Sequence, residues 1–541
     1  MLLVSNSNLT SNYTTYKQQH FSVCIFGDKK EFSVDFINQI YNNIQKGNFN
    51  FMQNIEIEYI AVFEDESFIN VITDNFGLIK KYYTIHDGEF YFGSYWDVAS
   101  IKSKNVQFNF KSAFEQINFG RTFDNKTLID NINITNSNQL IRFCKNTKKM
   151  TVKKYNKSSY LINSLRDTND IVENFEHNIE KQKSYIKRNT NSDNVLVSLS
   201  GGLDSRIIFP YLKDKDLNIK TFHIGSRKSF LKTYDEYLVS RLLKNENTSF
   251  DLLNPFDTDV EKKVNIDILR NPTVNSNILK AVDITKYSIF EGENTYVTGG
   301  QGGAVGGRLL DSTLKDITNS DSLKEYINKK FQRRVPNIFL WSNKVNKNYK
   351  PDFQEIDKLL NIEENYLNIF MDFHLNRHTN VGVFESLLGQ IDFYSIYVPY
   401  IWLDSKTWGF ENLKKRKILI EKLKKMNDKY YKTPFQNSRT IHDTSAIGLT
   451  IQQLARRARG SSVDYDIWWK NKNFQEFLFD TLHTQSNFYD HFNKKEILNL
   501  FKENKFTQFR ENILKLKIMF EFIERKNYLT IIDEFKITDK F

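Results

Sequence analysis

The chain is poor in cysteine and has no long apolar run. Among 541 residues only Cys24 and Cys144 carry thiols. That excludes a disulfide framework and a cysteine-rich zinc site, and it fits a reducing compartment. No stretch of about eighteen apolar residues occurs, so no membrane span is expected. The opening Met1-Leu2-Leu3-Val4-Ser5-Asn6 has neither a basic region nor a long apolar one, so no secretion signal is expected either. Two common nucleotide motifs are also missing. There is no Gly-x-x-x-x-Gly-Lys-Ser/Thr, and Gly300-Gln301-Gly302-Gly303-Ala304-Val305 fails the dinucleotide pattern at its last position. No internal repeat or low-complexity tract is present.

The length suffices for two or three domains, each with its own core. The net charge of +11 arises from 76 Lys and Arg against 65 Asp and Glu, with the basic residues spread along the whole sequence. Such dispersion argues against a dedicated nucleic-acid surface. The expectation is a cytoplasmic protein with no nucleic-acid or membrane partner.

Up to about residue 160 the chain alternates short β-rich runs with turns: Ile55–Phe63, Ser67–Ile72 and Glu89–Phe92. This predicts a mostly antiparallel β domain over 1–160. Ile171 to Lys187 then reads as a helix through Ile171, Val172, Phe175, Ile179 and Tyr185. From residue 190 the pattern becomes strand, glycine turn, helix, strand, which predicts a parallel sheet covered by helices over 161–445. Ile219–Ile224 and Thr295–Thr298 read as further strands, and Leu238, Val239, Leu242 and Leu243 as a helical stripe. The remainder, 446–541, reads as a helical extension packed on the second domain. The run Lys414-Lys415-Arg416-Lys417 with Lys424-Lys425 reads as the solvated side of a helix whose apolar side includes Leu413, Ile420 and Leu423.

The chemistry concentrates in Ser200-Gly201-Gly202-Leu203-Asp204-Ser205, which follows the apolar run Val195–Leu199 and precedes Arg206-Ile207-Ile208-Phe209. A strand-to-helix turn with two glycines lets consecutive backbone N–H groups converge on an anion, as phosphate requires. Ser200 and Ser205 add hydroxyl donors, and Asp204 is a hard oxygen ligand for the Mg²⁺ that accompanies a nucleotide. A nucleotide site is predicted here.

Ser200 to Ser205 resembles the pyrophosphate loop of the ATP pyrophosphatase superfamily, and its Leu-Asp-Ser form resembles the asparagine synthetase-like proteins. In the first domain, Asp74-Asn75-Phe76-Gly77 and Lys80-Lys81-Tyr82-Tyr83 keep the spacing of a segment of that family, with Asp, Gly and the Tyr pair matching. Phe92-Gly93-Ser94 and Thr127–Ile132 resemble later elements of the same domain. The resemblance implies an α+β N-terminal domain with Ntn-hydrolase-like antiparallel sheets, a class II glutaminase fold, followed by an α/β ATP pyrophosphatase domain. It also implies ATP and Mg²⁺, cleavage of ATP to AMP and pyrophosphate, adenylation of a small-molecule or peptide carboxylate, and attack by an amine.

Class II glutaminase chemistry needs a cysteine at position 2, where this chain has Leu2. Cys24 lies in an apolar run and reads as a buried structural thiol. Amide ligation without glutamine hydrolysis is therefore expected; the alternatives are a catalytically inactive nucleotide-binding scaffold and a glutamine-dependent asparagine synthetase. By resemblance, Leu199 and Ile224 fall at the adenine and ribose contacts and Thr298 and Gly299 at a nucleotide-contacting pair. Gly300 and Gly303 stand where the family carries a catalytic glutamate and a second Mg²⁺-binding aspartate. Asp235 matches an aspartate spacing, and it also suits a helix N-terminus. Glu291, Glu293 and Asp311 are candidate replacements for the missing carboxylates. Val398–Asp404 resembles a Pro-Phe-Leu-Asp segment, and Arg439 lies near the place of a catalytic lysine. His374 and His378 are one helical turn apart, but no third ligand is evident and no zinc is expected.

Overall fold

The structure is a computed structural model, and it describes residues 2–5, 13–27, 32–53, 55, 59–75, 77, 79–101, 106–119, 122–155, 168–189, 194–213, 217–225, 233–244, 246, 248–264, 282–291, 295–298, 312–331, 353, 356–357, 366, 369–370, 373, 392–395, 417–426, 428–434, 446–459, 471–502, 508–525 and 536–537.

In the N-terminal part the chain runs through β1 (Leu2–Ser5), β2 (Tyr13–Lys17), β3 (Ser22–Gly27), α1 (Val34–Lys46), α2 (Asn50–Gln53), β4 (Tyr59–Glu64), β5 (Phe68–Thr73), β6 (Tyr82–His86), β7 (Glu89–Gly93), α3 (Tyr95–Ile101), α4 (Phe110–Phe119), β8 (Asn133–Ile134), β9 (Gln139–Cys144) and β10 (Lys149–Lys154). One antiparallel sheet has the order β10-β9-β5-β4-β3-β2. A second contains β1-β7-β6-β8, with β1 parallel to β7 and the remaining pairs antiparallel. Side chains alternate across each strand, so β3 sends Cys24 and Phe26 one way and Val23 and Ile25 the other. Cys24, Phe26, Ile60, Val62 and Val71 meet Tyr83, Phe90 and Phe92 of the facing sheet. Val23, Ile25, Tyr59, Ala61 and Phe63 pack on Ile37, Ile40 and Ile44 of α1. Burial on both faces is why β3 and β4 are nearly continuous apolar runs. Ser33 accepts a hydrogen bond from the Phe36 N–H at 3.2 Å to start α1, and Gly47 ends it in the left-handed conformation.

The Asp74 and Gly77 pair has a structural explanation. The Asp74 carboxylate accepts from the Gly77 N–H at 2.6 Å and from the Tyr59 N–H at 3.1 Å, tying the turn to β4. Gly77 sits at φ 60°, and a Cβ there would lie 2.6 Å from the Ser137 backbone nitrogen. Gly77→Ala is expected to destabilise the domain by more than about 1 kcal/mol, because the backbone must both strain and shift. Urea unfolding measures this, and an unchanged midpoint would contradict it.

The second part contains α5 (Thr168–Asn189), β11 (Asn194–Ser198), α6 (Leu203–Leu212), β12 (Asn218–Ile224), α7 (Tyr234–Lys244), β13 (Asp251–Leu253), β14 (Thr295–Thr298), α8 (Ser320–Phe331), β15 (Asp392–Ser395), α9 (Lys417–Met426) and α10 (Asp428–Lys432). The five strands form one parallel sheet in the order β13-β12-β11-β14-β15. One face buries Leu196, Phe222 and Leu253 against Val282, Ile284 and Ile289. The other buries Val195 and Val197 against Ile207 and Ile208 of α6, Val239 and Leu242 of α7, and Ile418 and Leu423 of α9. On α9 Lys424 and Lys425 are exposed, while Lys422 is buried and paired with Glu176. Leu413 to Arg416 lie outside the described residues.

The C-terminal helices α11 (Ala446–Arg459), α12 (Lys472–His483), α13 (Phe488–His491), α14 (Lys494–Phe501) and α15 (Gln508–Glu524) divide between the two parts. The Arg459 guanidinium of α11 lies 4.6 Å from the centroid of the Tyr237 ring of α7. From α12 onward the apolar residues share a core with Tyr82, Trp96, Phe108 and Ile117 of the N-terminal part, joined by Val260 and Val264 of the second. Trp96 and Phe522 meet edge to face at 4.9 Å, and Phe108 and Phe520 at 5.2 Å. Finally β16 (Lys536–Ile537) pairs antiparallel with β1, Val4 opposite Ile537. Thus α11 contacts α7, while the later helices cover the aromatic face presented by α3, α4 and β6. Among the described residues no helix is long and apolar enough to cross a membrane.

Candidate functional site

The strand order fixes where a ligand can approach. The chain moves outward from β11 through β12 to β13, then returns to place β14 on the other side of β11. At such a reversal the connections leave the two central strands toward opposite faces, which opens a crevice beyond their carboxyl ends. The turn at 199–202 follows β11 directly, and Thr298 ends β14, whose Val297 pairs with Val197. Ile224 ends β12, the other neighbour of β11. Sequence-predicted positions from three different segments therefore meet at one edge.

The turn is ordered by its own hydroxyls. The Ser205 Oγ accepts from the Ser200 N–H at 3.1 Å, lies 3.1 Å from the Ser200 Oγ, and donates to the Ser200 carbonyl at 3.1 Å. The Gly202 N–H donates to the Ser200 Oγ at 3.2 Å. Gly202 is the N-cap of α6, at φ −78° and ψ 162°, and it makes no side-chain cap bond. The helix start thus presents backbone N–H groups and the positive end of its dipole without a capping side chain, the arrangement that favours an anion. The Leu199 N–H donates to the Phe222 carbonyl at 2.8 Å, holding the turn on β12.

Two buried charges brace this turn. Arg206 is fully buried and donates to the carbonyls of Gly201 at 3.0 Å and Tyr430 at 3.1 Å, and to those of Thr433 and Pro434. Burial pushes its guanidinium down to about 9, opposed by the nearby Asp235 and Tyr234. Asp235, buried in the first turn of α7, accepts the Gly201 N–H through Oδ1. Its Oδ2 lies 4.0 Å from the Nε2 of His223, whose Nδ1 is 2.9 Å from the Leu199 carbonyl. The aspartate at the expected spacing is therefore in contact with the loop as well as at a helix start.

No protein-family model matches this sequence, and no curated protein does either.

Leu199, Ser200, Gly201, Gly202 and Ser205 share the turn, with Ile224 and Thr298 on the flanking strands. Asp204 occupies the first turn of α6, but its side chain and that of Thr298 lie outside the described part. Gly299, Gly300, Gly303, Glu293, Asp311, His374, His378, Val398–Asp404 and Arg439 also lie outside the described residues. Glu291 closes a short helical turn at Ser288–Phe290 and is exposed. Among the described residues no group of His, Cys, Asp and Glu is arranged to hold a metal. Arg206 and His223 were not anticipated. The available signal was a single cation heading the apolar run Ile207-Ile208-Phe209, where burial forces a charge to find carbonyl partners.

In the first domain Leu2 lies on β1 opposite Tyr91, and Cys24 is fully buried between the sheets. Burial pushes the Cys24 thiol up to about 12 despite the nearby Lys81. Hydrogen bonds from Thr147 hold the half-buried Cys144 thiol below its ordinary value. At pH 8 a disulfide reagent is expected to titrate one thiol rapidly in the native protein and two in denaturant, since the thiolate is the reactive form. Two fast native thiols would contradict this.

Proposed function

We propose that the chain is an ATP-dependent, AMP- and pyrophosphate-forming carbon–nitrogen ligase, similar to the asparagine synthetase-like proteins and working without glutamine hydrolysis. The observation that carries this reading is the position of Ser200–Ser205 at the reversal point of a β13-β12-β11-β14-β15 parallel sheet, at the start of a helix with a glycine N-cap. In this reading the hydroxyls of Ser200 and Ser205 hold the pyrophosphate together with the backbone amides of Gly201 and Gly202, which exchange their Asp235 and Ser200 partners for phosphate oxygens. Leu199 and Ile224 flank the adenosine, and Thr298 and Gly299 contact the nucleotide. Asp204 holds Mg²⁺, which when bound neutralises charge developing on the leaving pyrophosphate. Arg439 supplies a permanent cation, able to grip phosphate in bidentate fashion but not to act as a base. The substrates are a small-molecule or peptide carboxylate and an amine.

The N-terminal part, two stacked sheets with helices on their outer faces, is read as a class II glutaminase-like domain over 1–160 without its nucleophile. The ATP-binding domain then spans 161–445. A cytoplasmic location is part of this reading, supported by the low cysteine content, which fits a reducing compartment. The test is pyrophosphate release with ATP, Mg²⁺ and pooled carboxylates and amines. Stoichiometric AMP and pyrophosphate support the ligase, whereas ADP and phosphate contradict it, and so does glutamate formed from glutamine.

A second reading, a nucleotide-binding scaffold without catalysis, rests on a specific observation. The Asp235 carboxylate already takes the Gly201 N–H, and Gly300 and Gly303 carry no carboxylate. Nucleotide binding with no pyrophosphate release from any pool would favour it.

A further inference from the structure

Away from the parallel sheet, α12 and α14 enclose an open groove of about 790 Å³. Its floor is Leu478, Leu482, Leu498 and Phe501, and Phe479 stands at its rim with 59 % of its surface exposed. The exposed phenylalanine is contiguous with the apolar groove rather than isolated on the surface. The charged lining is one-signed. Lys494, Lys495 and Lys502 border the groove, while Glu476, Asp480 and Glu496 of the same two helices do not line it. The Lys494 ammonium is steered by a hydrogen bond of 3.3 Å to the His483 carbonyl and lies 4.9 Å from the Tyr489 ring centroid.

The distribution of these cations selects among anionic ligands. Lys494 and Lys495 open α14 and Lys502 follows its end, a separation of about 12 Å along a helix rising 1.5 Å per residue. A fatty acid has one carboxylate and leaves one end of this row unmatched. An amphipathic helix with acidic residues two turns apart meets both ends while its apolar stripe covers the floor, the helix-in-groove mode.

We propose that the α12–α14 groove binds an acidic amphipathic helix of a partner protein or peptide, anchored on Phe479 and oriented by Lys494, Lys495 and Lys502. The site is independent of the ligase reading.

The test uses the full chain and a fluorescein-labelled synthetic helix of about 15 residues, four turns, with leucines on one face flanked by glutamates. Saturable anisotropy binding is expected. Phe479→Ser, a surface change, is expected to weaken it roughly ten-fold, as loss of an aromatic anchor residue does. The combined change Lys494→Glu, Lys495→Glu and Lys502→Glu is expected to abolish it and to create binding of a lysine-flanked version of the same helix. Circular dichroism checks that both variants are folded. No saturable binding, or equal binding by the wild type and the charge-reversed chain, overturns the proposal. Binding of palmitate or anionic vesicles without binding of the peptide overturns it too, as does a dimer of the chain that Phe479→Ser dissolves.

Discussion

Arg206→Leu is expected to destabilise the second domain by roughly 3–5 kcal/mol, the range seen when one partner of a buried charged network is removed. The guanidinium joins the carbonyl of Gly201 in the turn to those of Tyr430 in α10 and of Thr433 and Pro434 just beyond it. Leucine fills part of the volume and removes the cost of burying a charge, but it leaves those carbonyls without their donor in a dry interior. Each buried unpaired acceptor costs about 1–3 kcal/mol. The depressed guanidinium pKa shows that burying the cation is itself costly, so the net loss is smaller than the sum over four bonds. Arg206→Lys is expected to rescue little, because one ammonium cannot span carbonyls that a planar fork reaches together. Urea unfolding monitored by intrinsic fluorescence reads the effect; a midpoint within error of the wild type would contradict it.

Trp96→Ala is expected to cost about 3–5 kcal/mol, the usual penalty for emptying a buried aromatic site. Trp96 is only 1 % exposed and stacks edge to face on Tyr95 at 5.0 Å and on Phe522 of α15 at 4.9 Å. Its removal opens a cavity in the core that the C-terminal helices share with the N-terminal part. Limited proteolysis separates this from a uniform loss: cleavage is expected to begin within 460–535, with the parallel-sheet part still protected. Unchanged unfolding together with an unchanged cleavage pattern would mean that this interface does not hold the C-terminal helices.

The segments that announced themselves in the sequence are those whose local pattern and tertiary role agree. Val195–Leu199 followed by two glycines predicts a strand, a turn and a helix, and β11 and α6 flank that turn in the structure. Ile219–Ile224 and Thr295–Thr298 likewise appear as β12 and β14, because a strand buried on both faces is legible as an apolar run. The run beginning at Ile55 has its described strand from Tyr59. Pairings across long separations left no local trace. Nothing in Lys536–Ile537 announces that it joins β1, and the apolar stripe of α15 does not say which face it covers. Arg206 was hidden for a related reason: a cation next to a nucleotide loop suggests a ligand contact, yet besides the Gly201 carbonyl its partners include carbonyls more than two hundred residues away.

Calorimetric titration with Mg²⁺ and an ATP analogue blocked between the α and β phosphates tests the central claim most directly, comparing the native chain with Asp204→Ala. The account predicts Mg²⁺-dependent binding to the native chain, weakened at least about ten-fold, or 1.4 kcal/mol, in the variant. Absence of binding to the native chain, or equal binding by both proteins, would contradict a nucleotide site at Ser200–Ser205.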